Sequence, residues 1–142
     1  PLPRTEALPP CPDLAHRLTT AIRDEGYDGT TPWAFKDPKL TLLWPMFARA
    51  FPGATWLIVR RTRADVLTSL ASASFMRRHS TSTEFWQPFC AAYDDRLQTL
   101  AESGAQVLTA DADSIARGDF TALEATCATL GLTFNDTAVL RD

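Results

Sequence analysis

The segment at 54–70, ATWLIVRRTRADVLTSL, constrains this chain more than any other. Trp56, Leu57, Ile58 and Val59 form an apolar run that stops at Arg60 and Arg61, after which Val66, Leu67 and Leu70 recur on one side at helical spacing. A buried strand followed at once by a helix belongs to an open α/β sheet. Ligands of such sheets bind at the carboxyl ends of the strands, where the chain turns into helices. Here that end carries two guanidinium groups. Thr62, followed three residues on by Asp65, makes a capping-box-like start, so the helix begins directly after the arginines and turns its amide-rich end to the same space. The arrangement suits an anion. Ser69 stands two turns beyond Thr62 on the same helix face, so Arg61 and Ser69 can close on a single phosphate. The plainer alternative is an exposed strand end, with the arginines paired to Asp65 or Asp37 and Ser69 a surface hydroxyl.

Charge is distributed to match an anionic ligand. The net charge of −3 excludes a general nucleic-acid binder. Yet Lys36, Lys39, Arg49, Arg60, Arg61, Arg63, Arg77 and Arg78 meet only Asp37 and Asp65 in that stretch, whereas six basic residues face fifteen acidic ones elsewhere. A basic middle in an acidic chain fits a localised polyanion. No run approaches the roughly 18 apolar residues of a membrane span, and no basic-plus-apolar leader opens the sequence, so a soluble protein is expected. Cys11, Cys90 and Cys127 cannot pair completely and lack metal-ligand spacing. A reducing compartment, the cytoplasm, is expected, with each thiol a buried or half-buried hydrophobe and no metal bound.

The 142 residues suffice for one domain with a real core. Residues 1–12 hold five prolines and read as an extended arm, with the domain at 13–142. A chain beginning at Pro1 is expected to be a fragment or a processed product, the carboxyl-terminal part of a fuller domain. Leu14, Leu18, Ala21 and Ile22 predict a helix over 13–25 with Pro12 near its start and Gly26 after its end. Trp33-Ala34-Phe35 reads as a short strand running into the basic loop Lys36-Asp37-Pro38-Lys39, followed by a helix on Leu40, Leu43, Phe47 and Ala50 that stops at Phe51-Pro52-Gly53. Arg77, Arg78, His79 and the Ser/Thr run 80–83 form a loop of the kind that lines or lids a substrate site, or else a solvated basic loop. Trp86, Phe89, Tyr93, Leu97 and Leu100 predict a long helix ending before Gly104, with its aromatics in the core. A strand at 106–110 and a helix over 119–130, on Phe120, Leu123, Cys127 and Leu130, complete the pattern. The expected architecture is a three-layer α/β/α sandwich around a short parallel sheet, with strands near 33–36, 55–60 and 106–110.

Several of these motifs carry a resemblance. R-T-R-A-D-V-L-T-S at 61–69 resembles the sulfotransferase segment that binds the 3′-phosphate of 3′-phosphoadenylyl sulfate (PAPS), an R-x-x-x-D-V-x-x-S pattern in which Arg61, Asp65, Val66 and Ser69 fall in register. K-D-P-K-L at 36–40, a helix, then F-P-G-A and a strand ending in arginine is similar to the preceding part of that family. V-L-T-A-D-A-D-S-I, a helix and L-G-L resembles its carboxyl-terminal block. The likeness spans about 100 residues, 33–132, and implies a P-loop NTPase-like fold of the sulfotransferase type. It implies that Arg61 and Ser69 bind the 3′-phosphate, and that Lys36 faces the transferring sulfuryl group with Lys39 its neighbouring alternative. The acceptor would be a hydroxyl or amine on a small molecule, carbohydrate or peptide.

The pattern also departs from the family. No phosphate-binding loop for the 5′-phosphosulfate, G-x-x-x-x-G-K-[ST] or similar, is present. A general base must deprotonate the acceptor. Where cytosolic sulfotransferases place a histidine two residues after the lysine this chain has Pro38, which leaves His79 or Asp37 as the base; His16 lies among polar residues of the first helix. Two other classes stay open: a P-loop kinase-type transferase, which would need a magnesium carboxylate where 56–59 ends in arginines, and a non-catalytic sulfotransferase-like domain that binds a nucleotide or a partner.

Overall fold

A computed structural model describes residues 8–136, which form the elements α1 (Leu14–Asp24), α2 (Leu40–Ala50), β1 (Trp56–Arg60), α3 (Arg63–Ser72), α4 (Thr83–Glu102), β2 (Val107–Asp111), α5 (Ala112–Ala116) and α6 (Thr121–Thr129). Among the described residues helix makes up about 52% and the sheet has two parallel strands, so the class is mixed α/β. The proline arm at 1–12 lies mostly outside the described residues. No described helix is long and apolar enough to cross a membrane. The described residues divide into two compact units, those up to 54 with 92–106, and 55–91 with those from 107 on.

In the first unit α1 packs against α2. Gly26, at φ 102°, ends α1 in the left-handed conformation. It lets Tyr27 N–H reach the Ile22 carbonyl at 3.0 Å and so closes the last turn. The start of α2 comes from the K-D-P-K sequence. Asp37 accepts the Lys39 N–H through Oδ1 at 2.7 Å, and Pro38 lies in the turn just ahead of the cap residue Lys39. Trp44, at 8% exposure, and Pro45 are the buried residues of α2.

The strand expected at 33–36 is not formed; these residues are irregular. The Trp33 ring meets Phe51 edge-on at 5.6 Å, and Phe35 stacks on Phe47 at 5.6 Å and 10°. The alternating aromatics that read as one face of a strand are spent on Phe47 of α2 and on Phe51, which follows it. Among the described residues the sheet therefore has two strands where three were expected, and Lys36 does not stand at a strand end.

In the second unit β1 and β2 pair in register from Trp56↔Val107 to Arg60↔Asp111. Ile58 is 5% exposed while its partner Thr109 is exposed; one residue on, Val59 is 54% exposed while its partner Ala110 is 4%. Since partners share a face, each strand buries the opposite side. α5 and α6 both lie on β2. A second cluster joins Leu67 of α3 to Trp86 and Cys90 of α4, with Val66, Leu70, Ala71 and Met76 around them. In this part of α4 the buried positions are Trp86 and Cys90, not Phe89. Phe89 is 43% exposed and stacks on Phe85. Cys90 is buried and Cys11 and Cys127 are half-buried.

Candidate functional site

The carboxyl end of the two-stranded sheet is built by two junctions, β1–α3 and β2–α5. At the first, Thr62 caps α3 from an extended conformation (φ −58°, ψ 142°) and accepts the Asp65 N–H at 3.4 Å. Its hydroxyl donates in turn to Asp65 Oδ2 at 2.5 Å. The Thr62 cap expected from the Thr-x-x-Asp spacing is formed, but the return bond of a full capping box is not: Asp65 takes the Thr62 hydroxyl, and the Thr62 N–H goes elsewhere. At the second junction Asp111 accepts the Ser114 N–H at 2.6 Å and fixes the first turn of α5. That bond, together with the Ser114 side chain, holds the Asp111 carboxyl below the ordinary value of 3.8.

The two junctions meet at Asp113. Its Oδ1 accepts from Arg61 Nε at 3.2 Å and its Oδ2 accepts from Thr62 N–H, also at 3.2 Å. One carboxylate thus ties a guanidinium and a backbone amide of the β1–α3 turn to the β2–α5 turn. The Arg61 side chain is 51% exposed and that of Asp113 only 21%, so the carboxylate lies inward and the guanidinium outward. The pairing expected of a plain strand end, with Asp65 or Asp37, is not the one found. Sequence spacing could not indicate Asp113, because it lies 52 residues from Arg61.

The remaining candidates are distributed as follows. Ser69 is exposed on α3, and by helix spacing it shares a face with Thr62 and Asp65. His79 places its ring edge-on to Trp86 at 6.5 Å, in the turn that precedes α4. The Trp86 indole donates to the Ser80 carbonyl at 3.1 Å, which anchors that turn. Lys36 and Lys39 are exposed and belong to the other unit, and there Asp37 is engaged with the Lys39 amide. No group of three or more His, Cys, Asp or Glu able to hold a metal ion occurs among the described residues. An open groove of about 470 Å³ runs between α3 and α4, lined by Arg63, Leu67, Gln87, Pro88 and Ala91. Arg63 and Leu67 are one helical turn apart on the side of α3 away from Asp65 and Ser69, so the groove is separate from the arginine-bearing edge.

The edge offers an outward guanidinium, an exposed hydroxyl on the following helix and the amino end of that helix. These are groups of the kind that can bind an anion. Comparison with protein-family models, with curated proteins and with solved structures found no match.

Proposed function

We propose that the chain is a sulfotransferase-type domain that binds the 3′-phosphate of PAPS at the β1–α3 junction. Arg61 and Ser69 are its phosphate ligands in this reading. The sheet is then the centre of a three-layer, P-loop-type sandwich, in a cytoplasmic enzyme that delivers a sulfuryl group to a hydroxyl or amine acceptor. The observation that carries it is the half-exposed Arg61 guanidinium at the carboxyl end of a parallel strand, one residue before a capped helix that bears an exposed Ser69.

A second reading, a domain that binds the nucleotide without transferring from it, is favoured by the condition of the two candidate bases. Asp37 is engaged in the α2 turn and the His79 ring rests against an indole. Calorimetric titration of adenosine 3′,5′-bisphosphate tests the shared step. A hydrogen bond to a charged group contributes about 1.5–3 kcal/mol, and the exposure of Arg61 places this one near the lower end. Arg61→Ala is expected to weaken binding about tenfold, with a smaller loss for Ser69→Ala. An absence of binding by the parent chain, or equal binding by Arg61→Ala, rejects the site. Transfer of radiolabelled sulfate from PAPS to a panel of phenols and amines separates the two readings.

A further inference from the structure

Arginine offers five N–H donors, and a phosphate is gripped best by the terminal pair, presented as a fork. In an exposed side chain with four rotatable bonds the fork has no fixed direction, and ordering it opposes binding. The contact at Arg61 bears on this directly. Asp113 takes Nε, the inner donor, and is itself held by a second bond to the Thr62 amide. Its main chain is fixed independently, because Asp111 caps α5 and the Asp113 carbonyl accepts Arg117 N–H at 3.2 Å. The carboxylate is the more buried partner and the guanidinium the more exposed. An anion competing for the ligand's place would show the reverse, with the acid outermost.

We propose that Asp113 is the positioning residue of the anion site: it holds Arg61 by Nε and turns the terminal nitrogens outward to the phosphate. This rests on the reading of Arg61 as a phosphate ligand. Asp113 touches no ligand and acts only through Arg61, so removing it matters only while Arg61 is present.

The test is a double-mutant cycle read by calorimetric titration of adenosine 3′,5′-bisphosphate into the parent chain, Asp113→Ala, Arg61→Ala and the double variant. Asp113→Ala is expected to weaken binding about tenfold in the parent background and less than twofold once Arg61 is already alanine. Asp113→Asn keeps a neutral acceptor of the same shape for Nε; it is expected to fall between parent and alanine variant, and it carries the test if the alanine variant does not fold. Equal losses in the two backgrounds would mean a merely structural role and overturn the proposal. So would unchanged binding, or tighter binding by Asp113→Ala, which would make the carboxylate a competitor of the phosphate. A parent chain that fails to bind rejects the anion site itself, an outcome distinct from a parent that binds and an Asp113→Ala variant that binds equally.

Discussion

Thr62 and Arg61 are neighbours with separable tasks, and substitution can tell them apart. Thr62 starts α3 by accepting the Asp65 amide, while its own amide is spoken for by Asp113. Loss of a threonine cap costs about 1 kcal/mol, so Thr62→Ala is expected to lower the thermal midpoint by about 2–4 °C, whereas Thr62→Ser keeps the cap and stays near the parent. Differential scanning calorimetry reads both. Arg61→Ala, with a half-exposed side chain and one ion pair, is expected to change the midpoint far less than it changes phosphate binding. At this scale the sequence was legible where partners are close. The Thr62 cap on Asp65 announced itself by a spacing of three, but the Arg61 partner did not, since no local pattern links residues 52 positions apart.

Among the elements, the helices with a long period and the two paired strands were readable, while the short apolar piece at 33–35 and the five-residue α5 were not. The glycines after α1 and α6 marked true helix ends: Leu132 N–H reaches the Cys127 carbonyl at 2.8 Å around Gly131, as Tyr27 reaches Ile22 around Gly26. Trp33-Ala34-Phe35 had only two aromatic positions to argue from, and rings that fit a strand face fit Phe47 and Phe51 equally well. In α4 the error was one of register. Three-residue and four-residue steps from Trp86 lead to Phe89 and Cys90, and the smaller thiol takes the core position. Trp86, at 3% exposure, is the pivot of that helix's contact with α3. Trp86→Ala is expected to destabilise by about 3–5 kcal/mol, measured by urea unfolding. Trp86→Phe, which keeps most of the ring volume and forfeits the bond to the Ser80 carbonyl, is expected to cost about 1 kcal/mol. Phe89→Ala, by contrast, removes a half-exposed ring and is expected to cost less than Trp86→Ala.

Across the whole molecule, carboxylates that accept local amides or hydroxyls recur in both units. Asp28 accepts from Thr30, Glu84 from Ser82, Asp111 from Ser114 and Asp119 from Thr121, and each is thereby held below its ordinary value, 3.8 for the aspartates and 4.5 for the glutamate. Groups depressed in the folded state stabilise it above their unfolded pKa, and that stabilisation is lost as pH falls through the folded pKa. Stability is therefore expected to hold down to about pH 5 and to decline below about pH 4. The acid limb of the thermal midpoint should be shallower in Asp111→Asn, which retains an acceptor for Ser114 and no longer titrates. The ladder between β1 and β2 carries a consequence of another kind, for the order in which the molecule is made. Arg61 and Asp113 are 52 residues apart, and at the roughly 5–20 residues per second of synthesis the first waits about 3–10 s for the second to be added. During that interval the helices can form from local contacts, but the Trp-Leu-Ile-Val strand has left the ribosome with no neighbour. The newborn chain is most open to chaperone capture, or to aggregation, in the seconds before β2 emerges.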